Sequence, residues 1–139
     1  MTVSPRAREL AVAAAEAAAD KLADDILAFD VGDQLVITDV FVLCSASNDR
    51  QVRAVVDGIE ERLRTLGAKP VRREGEREGR WILLDYVDII VHVQHAEERV
   101  YYSLERIWKD CPTVELPESV RSAHSQRSHL GGGVEGAAS

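Results

Sequence analysis

Aspartates are the side chains of this chain that could perform metal-assisted chemistry. Asp85 and Asp88 lie three residues apart across a predicted turn, Asp39 stands alone, and no Asp-x-Asp pair occurs in the sequence. A two-metal site needs paired carboxylates on adjacent strands to hold both ions. The spacing therefore predicts neither a metal site nor a metal-dependent active site.

Cysteine and histidine could supply a nucleophile and a general base, with Cys44 and either His92 or His95 as the conceivable pair. Cys44, however, ends an apolar run, which is typical of a buried small hydrophobic residue. His92 lies between two valines, as a histidine inside a sheet would. His95 falls at a predicted strand-to-helix junction and is either functional or simply a polar helix-entry residue. We expect no enzyme activity, no catalytic residue and no cofactor.

Composition narrows the class of protein further. The chain has 139 residues, 45% apolar and 29% charged, which fits one globular domain. Its net charge of −7 argues against phosphate-backbone binding, so we expect little direct nucleic-acid contact and a preference for basic partners. Two cysteines make no disulfide framework, which predicts a cytoplasmic protein. No apolar run approaches the roughly 20 residues of a membrane-spanning helix.

Large aromatic side chains are concentrated between residues 80 and 108, where they are interleaved with acids. Trp and Tyr anchor many protein interfaces, so the stretch is typical either of a core with a polar rim or of a protein-binding face. In its first predicted strand, Trp81, Leu83 and Asp85 share one face by period-two alternation. We expect this face to be the wetter one because it carries an acid. Tyr102 falls among charged residues on the outer side of the last predicted helix.

Local signals predict an α/β protein with a mixed sheet of about five strands flanked by helices. Ser4-Pro5 begins one helix, Asn48 with Gln51 has the form of a capping box, and the Cys111-Pro112 pair ends the last helix. The predicted elements are a helix to about residue 22, strands at 25–31 and 40–44, a helix ending at 67, a short strand near 71, two strands within 80–95, and a helix from 96. Residues 1–116 form the predicted domain, and 117–139 a disordered tail that lacks apolar surface.

Four segments in the same order, 25–31, 37–52, 70–75 and 79–108, make the chain resemble the ribosomal silencing factor family, also called RsfS, Iojap or YbeB. The resemblance implies a nucleotidyltransferase-like fold without the catalytic motif. It also implies docking on the large ribosomal subunit, through a basic ribosomal protein, the fourteenth of the large-subunit series, at the inter-subunit face. Steric blocking of subunit joining would then repress translation under nutrient limitation, and the protein off the ribosome would be a homodimer.

With this resemblance, we expect Trp81 and Leu83 to be apolar anchors beside acids that meet the basic partner. Trp81 as a plain core residue and Tyr102 as an isolated exposed tyrosine are the alternatives. The full set of expected partner-binding residues is Trp81, Leu83, Asp85, Tyr86, His95, Arg99, Tyr102 and Glu105.

Two other functions stay open: a nucleotidyltransferase-like enzyme, and a homodimeric adaptor unrelated to ribosomes. Against the enzyme, the Gly-Ser turn that would cradle a triphosphate is replaced by Ser45-Ala46-Ser47. Many relatives also have glycine at the position of Val87. A β-branched residue resists positive φ, so either this turn uses ordinary dihedral angles or it is strained by roughly 1–3 kcal/mol.

Overall fold

The computed structural model describes residues 3–32, 38–75, 77, 79–102, 106 and 108–120, with the backbone alone for 100–102. Three helices and five strands follow one another in the predicted order. Their bounds are α1 Pro5–Asp20, β1 Asp24–Asp30, β2 Val40–Ala46, α2 Asp49–Thr65, β3 Arg72–Glu74, β4 Trp81–Asp85, β5 Ile89–His95 and α3 Ala96–Tyr102. Part of the predicted last helix, at 103–105 and 107, lies outside the described residues.

The five strands form one sheet in the order β1-β2-β5-β4-β3. Strands β2 and β5 are parallel, and every other neighbouring pair is antiparallel. The parallel pair is central, and β2 is joined to β5 by a connection that contains α2, β3 and β4. The prediction of a mixed sheet flanked by helices is therefore confirmed.

Helix starts follow the predicted capping residues. The side chain of Ser4 accepts a hydrogen bond from the Ala7 backbone N–H at 3.0 Å, and that of Asn48 accepts from the Gln51 N–H at 2.8 Å. The Gln51 side chain reaches back to the Ser47 N–H, one residue further than a capping box requires. Both caps satisfy backbone donors that the first helical turn leaves without intrahelical partners.

Helices α1 and α2 pack on one face of the sheet and close the main core. The inner surface of α1 is mostly alanine, including Ala11, Ala14 and Ala18, all 0% exposed. Small side chains let the helix approach β2 closely, and the larger apolar side chains come from the sheet and α2. Arg62 ties the two helices together through ion pairs with Glu16 and Asp20, at 3.3 and 2.8 Å.

Residues after α3 return along the free edge of β1. The Asp30 N–H donates to the Pro112 carbonyl at 2.7 Å, and the Val114 N–H donates to the Ala28 carbonyl at 2.8 Å. Further on, Val120 is 2% exposed and belongs to the main core. Val120 thus packs in the core although it lies four residues beyond residue 116, where the predicted domain ends, and the rest of the predicted tail, 121–139, lies outside the described residues.

No helix in the described part of the chain is both long enough and apolar enough to cross a membrane.

Candidate functional site

Strand β4 has one buried and one partly exposed face. Ile82 and Leu84 are 2% and 0% exposed and point into the main core, whereas Trp81, Leu83 and Asp85 are each partly exposed. The prediction that the face carrying Asp85 is the wetter one is confirmed. We call the side of the sheet opposite α1 and α2 the open face, because β4 is partly exposed there, whereas β2 and β5 are buried on both sides.

A second, smaller hydrophobic cluster lies beneath the open face. Its buried members are Phe29, Val31, Phe41, Leu43 and Ile90, and Leu27, Leu83, Trp108 and Cys111 pack against them. The ring of Trp108 meets the ring of Phe41 edge-on, with centroids 5.2 Å apart and planes at 81°. Leu83 packs against this cluster on the same face of the sheet, so its partly exposed side chain has rigid apolar neighbours.

Trp81 is neither a fully buried core residue nor a loose surface side chain. Its indole Nε1–H donates to Nδ1 of His92 at 3.1 Å, and the two rings are 6.1 Å apart. His92 is 6% exposed, and its burial lowers the pKa of the imidazole to about 4. The neutral ring therefore serves as a hydrogen-bond acceptor under a partly exposed aromatic side chain.

Two carboxylate pairs lie at opposite ends of β4, each sharing one arginine. At the Asp85 end, Arg72 contacts Glu74 at 3.3 Å and Asp85 at 3.6 Å.

At the Trp81 end, Arg80 contacts Glu97 at 2.7 Å and Glu98 at 3.0 Å, and Asp49 lies 3.8 Å away. These contacts raise the pKa of the Arg80 guanidinium, and the hydrogen bond to Glu98 has the largest effect. Since β4 spans about 13 Å, an apolar strip made by Trp81 and Leu83 lies between two ion-pair clusters, in each of which at least two carboxylates contact one arginine.

The turn after β4 has the strained geometry that the sequence left open. Val87 has φ of 74° and is 52% exposed, while the Asp88 N–H donates to the Tyr86 carbonyl at 2.8 Å. An i to i+2 hydrogen bond around a positive φ is a rare and strained γ-turn. The Asp85 carboxylate accepts from the Val87 N–H at 2.8 Å, so this acid braces the turn as well as bordering the strip.

The other predicted partner-binding residues do not all join this strip. Tyr86 and Arg99 are each 5% exposed, and Tyr86 packs in the main core, where burial raises the pKa of its phenol. Neither is an exposed contact, because alternation turns Tyr86 away from the open face and packing encloses Arg99. His95 is partly exposed, and its Nδ1 accepts a hydrogen bond from the Glu97 N–H at 3.1 Å. This contact fits the alternative that His95 is a polar residue at the start of α3.

Two further members of the predicted set, the Tyr102 side chain and Glu105, lie outside the described residues.

Sequence reasoning missed three contributors to this site. It read His92 as an ordinary sheet histidine, although period-two register places it beside Leu83 and under the open face. It also overlooked the arginines that hold the acids, Arg72 and Arg80. Their positions next to β3 and β4 are visible in sequence, but which carboxylates they meet depends on strand pairing.

Side chains suited to catalysis are not assembled in the described part of the chain. Cys44 is 0% exposed, and desolvation raises the pKa of its thiol to about 12, so it is not a thiolate nucleophile at neutral pH. Among the described residues, no group of three or more His, Cys, Asp or Glu side chains could hold a metal ion. What these residues do form is an apolar strip with acidic ends.

Comparison with known proteins agrees on one family. The sequence profile described as "Ribosomal silencing factor during starvation" matches residues 4–133. A "Ribosomal silencing factor RsfS" from Bacillus subtilis is 41% identical over 103 residues, covering 74% of this chain and 87% of that protein.

Two crystal structures have similar folds. One, of a protein from Chromobacterium violaceum, has a TM-score of 0.71 at 28% identity and covers 78% of this chain and 88% of that one. The other, of a Bacillus halodurans protein, has a TM-score of 0.65 at 36% identity and covers 78% of this chain and 95% of that one. The chain therefore belongs to the ribosomal silencing factor family.

Proposed function

We propose that this protein binds the large ribosomal subunit through a basic ribosomal protein at the inter-subunit face, the fourteenth of the large-subunit series, and sterically blocks subunit joining. Repression of translation under nutrient limitation would follow from occupancy alone. The observation that carries the proposal is the apolar strip of Trp81 and Leu83 between two acidic ends. An apolar centre with a charged rim is the usual layout of a protein interface.

Charge at the strip favours a basic partner. At each end, the ion pairs of the described residues join at least two carboxylates to one guanidinium. Complementary charge mainly accelerates association and makes it sensitive to salt. A partner rich in Lys and Arg, with an apolar patch between them, would match the strip in both respects.

The proposed mechanism uses no chemical step. No catalytic constellation occurs among the described residues, and the fully buried Cys44 lies out of reach of a substrate. We therefore propose a regulator without enzyme activity that acts in the cytoplasm. Off the ribosome, we propose that it forms a homodimer.

A subunit-joining experiment tests the proposal directly. Purified large subunits are incubated with the protein, small subunits are then added, and joined ribosomes are measured by light scattering. The yield should fall in proportion to the protein bound, with no nucleotide present. A requirement for nucleotide hydrolysis by the protein, or its failure to travel with large subunits in a sucrose gradient, would refute the proposal.

Trp81→Ala locates the docking surface. Truncating an interface anchor costs about 2 kcal/mol or more in binding, or roughly thirtyfold in affinity. Leu22→Ala is the matched control, because Leu22 is 60% exposed at the end of α1 and lies away from the strip. Urea denaturation of each variant separates lost binding from lost folding. Equal affinities for Trp81→Ala and the parent would remove this strip from the interface.

Charge neutralisation tests the acidic ends. The double variant Glu74→Gln with Glu97→Gln should slow association with large subunits and flatten its dependence on salt, with little change in stability, since exposed ion pairs contribute little. Glu9→Gln on α1 is the control, because Glu9 is also exposed and paired with an arginine. If the double variant associates as fast as the control at low salt, the acidic ends take no part in docking.

A further inference from the structure

A buried histidine lies on the open face between two leucines. His92 on β5 is paired in register with Leu43 on β2 and Leu83 on β4. The ring is 6% exposed and meets Phe41 edge-on at 5.0 Å, with planes at 64°. An aliphatic side chain would fill this position at lower desolvation cost, so the imidazole calls for an explanation other than packing.

The hydrogen bond from Trp81 defines the state of that ring. Because the indole Nε1–H can only donate, Nδ1 of His92 must present its lone pair, which places the ring proton on Nε2. Nε2 is buried and has no hydrogen-bond partner within the described part of the chain. Among the described residues, therefore, one nitrogen of His92 receives the indole and the other is without a partner.

We infer that His92 is a positioning residue, whose Nδ1 holds the indole of Trp81 in the single orientation presented to the basic partner. The inference rests on the proposed function, because it assumes that Trp81 is an anchor. Phe41 packs against the imidazole and is itself packed against Trp108, so the acceptor is held in place from the side opposite Trp81.

The same bond determines what the partner must supply. With the indole N–H satisfied inside the protein, the partner needs no acceptor for it. The rest of the indole is an apolar aromatic ring system, whose chemistry suits an aliphatic pocket or the side of a cationic chain. A preorganised anchor also loses less rotamer freedom on binding than a mobile one.

His92→Leu and His92→Asn test the inference as a pair. Leucine matches the neighbouring apolar rows but cannot accept, whereas the Asn side-chain oxygen can take the place of Nδ1. We expect His92→Leu to be at least as stable as the parent to urea, yet to bind purified large ribosomal subunits about tenfold more weakly. His92→Asn should restore affinity to within about threefold of the parent.

Indole hydrogen exchange in the protein off the ribosome supplies a readout that packing alone would not change. The two indole N–H signals are assigned with Trp81→Phe, and exchange of the Trp81 proton should accelerate in His92→Leu but not in His92→Asn. If His92→Leu binds within twofold of the parent, or the Trp81 proton exchanges no faster, the inference is wrong. If the parent itself does not bind large subunits, the proposed function fails, while the exchange comparison still reports on the positioning bond.

Discussion

Replacing Val87 by glycine should stabilise the protein, although it removes a side chain. The residue has φ of 74° at the centre of a γ-turn, a conformation that costs a β-branched residue roughly 1–3 kcal/mol. Glycine relieves that strain but loses about 0.4–1 kcal/mol to the greater freedom of the unfolded chain. Because Val87 is 52% exposed, little burial is lost. The net gain should be about 1 kcal/mol, or roughly 3–5 °C in Tm for a domain of this size.

Urea denaturation at neutral pH measures this gain as a higher midpoint at unchanged slope. Val87→Ala is the control, since alanine keeps Cβ and therefore most of the strain, and its stability should stay within about 0.5 kcal/mol of the parent. Leu22→Gly is a second control, away from the open face. Leu22 has φ of 66° just after α1, the same left-handed position that Gly67 occupies just after α2. If Val87→Gly were less stable than Val87→Ala, the turn would not store strain.

Two other predictions concern pH and the C-terminal residues. Burial lowers the pKa of His92 to about 4 from its ordinary 6.5. As pH falls, the unfolded chain therefore protonates at this histidine before the folded protein does. The stability that depends on a neutral His92 is present above about pH 6.5 and is lost towards pH 4. The difference in unfolding free energy between the parent and His92→Leu should therefore change by about 2–3 kcal/mol between pH 7 and 4.5, and parallel pH profiles would contradict this. Removing residues 121–139 should leave the free energy of unfolding unchanged. Ending the chain at Pro117 also removes the buried Val120, which should lower the free energy of unfolding by about 1.5–3 kcal/mol in the same assay. Equal stabilities of the two truncations would show that Val120 contributes nothing.

Element order was predictable because its signals are local. Ser4 and Asn48 accept backbone hydrogen bonds from residues three positions on, as their sequence contexts predicted. Alternation along β4 also predicted which face is wetter. These features depend on neighbours within a few residues, so they survive without knowledge of the fold. The burial of Val120 was not predictable in the same way, because a single apolar residue in a polar stretch carries no periodic signal.

Within the candidate site, sequence reasoning reached Trp81 and Leu83 but not their supports. It included Tyr86 and Arg99 in the same partner-binding set, and both are buried. The partner of the Trp81 indole, His92, is eleven residues away and reaches it only because β4 and β5 are antiparallel in this register. Whether a side chain is buried depends on what packs over it from distant segments, which a local pattern does not contain.

Residue types, spacing and resemblance alone therefore determined the α/β class, the mixed sheet, the family and the absence of the carboxylate pattern of a two-metal enzyme. Tertiary structure decided that Val87 adopts a positive φ and that a neutral His92 accepts a hydrogen bond from the indole of Trp81. It also decided which carboxylates share Arg72 at one end of β4 and Arg80 at the other. The division has a physical reason. Secondary structure follows from short-range periodicity and capping, whereas hydrogen bonds, ion pairs and backbone strain depend on register between strands that are distant in sequence.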